Sequence, residues 1–151
     1  MMVLGIWWCD ILVSSIIFFV SFCVMKSSNG HTILVVEDED SLSQAVSMRL
    51  SSSGFRVLRQ SNGHEGLACA LKERPDLILL DIVMPVMDGM EMLSALRKDE
   101  WGKDVPVILL SNLSDPSYAA GAIEFGVFDF LVKSDWSLDD LCRKICQHLG
   151  C

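Results

Sequence analysis

Several reactive side chains stand directly after apolar runs. Glu37 and Asp38 close "ILVVED", Asp81 closes "LILLD", Ser111 closes "VILLS" and Lys133 closes "FDFLVK". If these groups meet, three carboxylates share a small volume with a hydroxyl and an ammonium. Close carboxylates repel, and at least one is driven toward protonation unless a cation intervenes. A few hard oxygen ligands suit Mg2+, which keeps waters and shares its shell with a phosphate. Ser111 adds a hydroxyl donor, and Lys133 adds a point charge for an anion. These are the parts that phosphoryl transfer onto a carboxylate requires: a nucleophile, a metal to neutralise charge, and donors around the transferring oxygens. Asp81 is the best nucleophile, because the run before it implies the most rigidly buried strand. Each group alone is ordinary. A strand-ending acid is usually a solvated turn charge, and an acidic pair before a helix usually complements its N-terminal dipole. The inference comes from their order and their common position.

The elements that would position these groups alternate regularly. Continuous or alternating apolar patterns predict strands at 32–37, 55–60, 76–81, 105–111 and 127–133. The second alternates and reads as an edge strand with one wet face. Pro106 falls near the start of the fourth, where a missing donor is tolerated. Helical spacing follows each strand. Ser41-x-x-Gln44 reads as a capping box for the first helix, which Ser53-Gly54 ends. Asn62-Gly63 leads into the second, and Pro75 stops it. The third covers about Met90 to Lys98. Asp115 with Pro116 starts the fourth, and Ser137-x-x-Asp140 caps the last. Strand and helix alternating five times imply an α/β fold with a mostly parallel, doubly wound sheet and helices on both faces. Ligands of such sheets sit outside the carboxyl ends of the strands, where the residues above all stand.

The chain has 151 residues and a formal charge of −8. That length suits one domain, and the acidic balance argues against a nucleic-acid surface. The six cysteines lack the spacing of a secreted disulfide scaffold and read as reduced thiols in a cytoplasmic setting. Cys142, Cys146, His148 and Cys151 could in principle approach a metal, but no matching CxxC or HxxxH partner exists elsewhere. His31, His64 and His148 are assigned no catalytic role.

Residues 1–25 are apolar except for Asp10 and are long enough to cross a bilayer at about 1.5 Å per residue. Trp7 and Trp8 suit an interface, and Lys26 suits the cytoplasmic side. Asp10 would cost about 2.5–3.5 kcal/mol at the centre of such a span. Three readings stand: a membrane anchor with the remaining domain, 26–151, facing the cytoplasm; sequence upstream of a true start at Met25; or a cleaved signal, which lacks its basic n-region.

"ILVVEDED", "LILLDIVMPVMDG", "VILLS" and "FDFLVK" together resemble the signature segments of response-regulator receiver domains of two-component signalling. The resemblance covers about residues 32–149. It implies a flavodoxin-like fold with five strands in the order 2-1-3-4-5, Asp81 as phosphoacceptor and Mg2+ as cofactor. Asp38 would ligate the metal directly, Glu37 through water, and Val83 through its backbone carbonyl. Ser111 would bond the phosphoryl group, Lys133 would pair with it, and Phe130 would be the aromatic switch. A histidine kinase or histidine phosphotransfer protein would be the donor. The output would be a protein bound on the face of the fourth helix, fifth strand and fifth helix, because no output domain follows Gly150-Cys151. Contact with a membrane is expected only if residues 1–25 are expressed.

Some positions depart from the family pattern. Glu37 replaces the commoner Asp. Asn112 stands where a small residue is usual and is expected to narrow access to Asp81. Ser134 replaces the usual proline, and a cis bond there would cost roughly 2.5–4 kcal/mol. Val83 and Leu113 flank the site with side chains that cannot orient water, so slow self-dephosphorylation is expected. Two other functions compete. A phosphatase of the haloacid-dehalogenase type wants a second Asp two residues after the nucleophile, where this chain has Val83. A constitutive docking module would never take phosphate.

Overall fold

A computed structural model describes residues 30–112 and 116–151, with the side chains of 116–119 left aside. The apolar segment 1–25, Leu113 and Asp115 lie outside the described residues. Within them no helix is long and apolar enough to cross a membrane.

The elements are β1 (Thr32–Val36), α1 (Asp40–Ser52), β2 (Arg56–Gln60), α2 (Gly63–Glu73), β3 (Leu77–Asp81), α3 (Gly89–Leu96), β4 (Val107–Ser111), α4 (Pro116–Glu124), β5 (Asp129–Val132) and α5 (Leu138–Leu149). The strands form one sheet in the order β2-β1-β3-β4-β5, and every pairing is parallel. The strands are one to three residues shorter than their apolar patterns suggested.

Strand side chains alternate between two cores. Leu34, Val36, Ile78, Leu80 and Leu109 point to the face covered by α2, α3 and α4, where Ala70, Met92, Leu93, Leu96 and Ala122 meet them. Ile33, Val35, Leu77, Leu79 and Leu110 point to the other face, against Val46 and Leu50 of α1 and Leu141 and Ile145 of α5. Because both faces are covered, β3 and β4 are buried at every residue and read as unbroken apolar runs. β2 lies at the edge and is mostly half-exposed, which accounts for its alternation.

The helix boundaries follow local chemistry. Ser137 and Asp140 form the expected capping box at α5. Asn62 caps α2 by accepting from the Glu65 N–H at 2.9 Å. Arg74 adopts a left-handed φ of 47° at the end of α2, since the following Pro75 disfavours another helical residue. The Ser41-Gln44 box is a correction. α1 begins two residues earlier, at Asp40, with Glu39 at the cap and no side-chain cap bond. Ser41 Oγ instead donates to Glu39 Oε1 at 2.7 Å, so the acids that precede the helix displace the serine from the capping role. A second box, Asp88 with Glu91 at α3, was readable only as an Asp-Gly turn.

Arg97 ties the far end of α3 to its surroundings. Its guanidinium donates to the carbonyls of Phe125 at 2.7 Å, Gly102 at 2.6 Å and Val105 at 2.9 Å. Three carbonyls that would otherwise lack partners are satisfied by one rigid fork.

Candidate functional site

The parallel register brings the carboxyl ends of β1, β3, β4 and β5 to one edge of the sheet. Asp81 ends β3 and is 3% exposed. Glu37 follows β1 and is 2% exposed, whereas Asp38, one residue on, faces solvent. Ser111 ends β4 and is fully buried. Lys133 follows β5, and its N–H donates to the Ser111 carbonyl at 2.7 Å. That bond extends the β4–β5 ladder by one step and fixes the backbone from which the lysine reaches inward.

The side chains converge. Lys133 Nζ lies 2.7 Å from Glu37 Oε2 and 3.0 Å from Asp81 Oδ2, with the lysine side chain 8% exposed. Glu37, Asp38 and Asp81 each offer a carboxylate oxygen, and these oxygens lie within 4.8 Å of one another. Glu37 Oε1 accepts from the Glu39 N–H at 3.2 Å. Its Oε2 is buried and makes no aligned hydrogen bond, so the Lys133 contact is an ion pair that leaves lone-pair capacity unused. A hard-oxygen cluster with a buried, under-satisfied carboxylate oxygen fits Mg2+.

Burial pushes the Glu37 carboxyl up to about 7 from an ordinary 4.5, against the pull of Lys133 and with help from the Asp81 charge. Burial also raises Asp81, again opposed by Lys133, while Asp38 adds to the rise. Burial works to lower Lys133, but its contacts with Glu37 and Asp81 outweigh this and raise it. One ammonium therefore does not fully offset the acids around it.

A stability slope follows. The folded state holds the Glu37 proton more tightly than the unfolded chain does. The associated stability is complete below about pH 4.5 and is lost as pH rises through about 7. Without divalent cations, urea midpoints are expected to fall between about pH 5 and about pH 8, and Glu37→Gln is expected to flatten that fall. An identical slope in the variant would remove Glu37 as its source.

The loop after Asp81 is pinned on both sides. The Ile82 N–H donates to the Leu110 carbonyl at 3.1 Å, and the Gly89 N–H donates to the Ile82 carbonyl at 2.8 Å. The start of α3 is thus drawn onto the end of β3. Gly89 makes this possible, since a Cβ at that position would lie 2.1 Å from the Asp81 carbonyl oxygen. Between these anchors Val83 is 56% exposed, and Val86 is exposed with a left-handed φ of 73°, which is unfavourable for a β-branched side chain.

The structure therefore brings Glu37, Asp38, Asp81 and Lys133 together and places buried Ser111 on the adjoining strand end. Phe130 sits half-buried on β5, opposite Leu109, and packs against the core of the α3 side. Val83 lies in the loop beside the acids. The peptide bonds of the described residues are all trans, that of Lys133–Ser134 included, and Lys133 still reaches both carboxylates. Sequence reasoning missed Gly89 as a positioning residue. The available signal was a glycine at the first turn of a helix, where almost any other residue forms helix better.

A family model described as "Response regulator receiver domain" matches residues 33–146. Among curated proteins, a "Probable transcriptional regulator ycf27" of Porphyridium aerugineum is 40% identical over 119 residues, covering 78% of this chain and 48% of the relative. The "DNA-binding dual master transcriptional regulator RpaA" of Synechocystis is 35% identical over 101 residues, covering 67% of this chain and 42% of that protein. The chain thus spans less than half the length of these relatives. Among solved structures, chemotaxis protein CheY4 of Vibrio cholerae superposes with a TM-score of 0.73 at 31% identity, covering 78% of this chain and 98% of that one. The receiver domain of sensor histidine kinase PA1611 from Pseudomonas aeruginosa superposes with a TM-score of 0.73 at 30% identity, covering 81% of this chain and 99% of that one, and carries a magnesium ion in its active-site cleft. With its sheet order, its acidic cleft and a family match over most of its length, this chain belongs to the response regulator receiver domain family, a signalling fold of two-component systems.

Proposed function

We propose that the domain spanning 26–151 is the phosphoacceptor switch of a cytoplasmic phosphorelay, with Asp81 as the acceptor. The observation that carries this reading is the Lys133 ammonium held at 2.7 and 3.0 Å from two buried carboxylates at the carboxyl edge of the sheet. A histidine kinase or histidine phosphotransfer protein is the donor. An Asp81 oxygen attacks phosphorus, the bond to the donor imidazole nitrogen breaks, and the imidazole departs. Asp38 and Asp81 would hold Mg2+ directly, Glu37 through water, and Val83 through its carbonyl. When bound, the ion neutralises charge on the transferring oxygens. Lys133 gives up part of its pairing with Glu37 and Asp81 to pair with the new phosphoryl group, and the Ser111 hydroxyl donates to it. Movement of Ser111 lets Phe130 turn inward and biases the α4-β5-α5 face toward a protein partner. The acidic balance of the chain argues against binding of duplex DNA by this domain, although relatives named as transcriptional regulators include one named as DNA-binding.

The test is transfer from a labelled phosphohistidine domain. Label is expected to move onto this chain with Mg2+ and to stay on the donor when EDTA is present. Absence of transfer in both conditions would favour a constitutive docking module. The only catalysis expected is of its own phosphorylation and dephosphorylation. The second step should be slow, because the apolar side chain of Val83 cannot orient an attacking water. A phospho-Asp81 that decays within seconds without a phosphatase would refute that point.

A further inference from the structure

Three thiols gather where α5 and its C-terminal end meet the α1 side of the core. Cys142 is buried, and its Sγ lies 3.2 Å from Ser53 Oγ. Cys146 and Cys151 are half-exposed, and both pack against the core that α5 covers. The helix end brings Cys146 and Cys151 together. Gly150 turns the chain back with φ 75°, and the Cys151 N–H donates to the Cys146 carbonyl at 3.0 Å. This six-to-one bond closes a helix C-terminus and places the side chains at its two ends side by side.

We propose that Cys146 and Cys151 are a redox modification site that closes to a disulfide under peroxide and pins the last turn of α5. The alternative pair, Cys142 with Cys146, sits one helical turn apart. Helix neighbours at that spacing hold their Cβ atoms about 5–6 Å apart, whereas a disulfide needs about 3.5–4.5 Å. The reversed chain at Gly150 is free of that limit. In the first step the Cys151 thiolate attacks a peroxide oxygen, the O–O bond breaks, and a sulfenic acid and hydroxide result. In the second the Cys146 sulfur attacks the Cys151 sulfur, the S–O bond breaks, and the Cys146 proton leaves with the departing oxygen as water. In sum two thiols are oxidised and one hydrogen peroxide is reduced to two waters. Cys151 is the first thiol to react because burial and the neighbouring thiols push Cys146 up to about 12, which leaves it almost no thiolate. The loop so closed contains His148, whose ring packs tilted at 50° against the exposed Phe128 with ring centroids 3.8 Å apart, so the bond also fixes one edge of the β5–α5 surface.

The experiment treats the folded, reduced protein with hydrogen peroxide, alkylates it, digests it with trypsin and reads the peptides by mass. Cleavage after Lys144 yields "ICQHLGC", which holds both thiols, while Cys142 falls in the preceding peptides. The expected result is that peptide lighter by two hydrogens and unalkylated, reverting to the doubly alkylated form after dithiothreitol. Cys142→Ser should leave this unchanged. Oxidised wild type should melt at a higher temperature than reduced wild type, and Cys151→Ser should lose that difference. A peptide that stays doubly alkylated, or a crosslink from Cys146 to the Cys142 peptide, would overturn the proposal. So would equal melting temperatures of the oxidised and reduced protein.

Discussion

Gly89→Ala is expected to destabilise the protein by about 2–3 kcal/mol and to abolish phosphoryl acceptance together with it. The added Cβ would fall 2.1 Å from the Asp81 carbonyl oxygen and 3.0 Å from the Asp81 carbonyl carbon. The obstacle is backbone, not the end of a flexible side chain, so relief requires α3 to move off β3. Alanine forms helix better than glycine by about 1 kcal/mol, and that gain is too small to offset the overlap. Moving α3 also breaks the 2.8 Å bond from the Gly89 N–H to the Ile82 carbonyl, which holds the loop beside Asp81. Urea denaturation measures the first effect and acetyl phosphate labelling the second. Wild-type values in both would mean that α3 does not set the position of Asp81.

Lys133→Met is expected to cost about 3 kcal/mol near pH 8 and much less near pH 5. The variant keeps an apolar stem but leaves Glu37 and Asp81, 1% and 4% exposed in their side chains, without the cation between them. Both carboxyls are already raised by burial, and losing the ammonium raises them further. A raised carboxyl contributes stability at low pH that disappears as pH rises through its folded value. The deficit should therefore grow from acid to alkaline pH in urea melts. A deficit that is constant across pH would mean that Lys133 acts through packing and not through charge.

Most of the fold was legible because the strands obey a simple physical rule. β3 and β4 are covered on both faces, so their patterns are unbroken, and β2 lies at the edge, so its pattern alternates. The site was legible for a related reason. Glu37, Asp81, Ser111 and Lys133 each interrupt an apolar run at its end, and a doubly wound parallel sheet brings those strand ends to one edge. The start of α1 was misread, because Ser41 satisfies a local capping pattern while Glu39 and Asp40 compete for the same helix end. The close approach at Gly89 was not legible, since it depends on where α3 crosses β3 and not on neighbouring residues. The elevation of Glu37 was likewise hidden. It depends on burial behind Lys133, a residue that follows another strand at the far end of the sequence.

Under the proposed function Asp81 takes the phosphoryl group. Intact mass of the wild type and of Asp81→Asn, each incubated with acetyl phosphate and Mg2+, tests it most directly. Asparagine preserves the shape of the side chain, so the variant should remain folded by circular dichroism. The wild type is expected to gain one phosphoryl group and Asp81→Asn none. Equal labelling of both proteins, or no labelling of a wild type shown to bind Mg2+, would contradict the account.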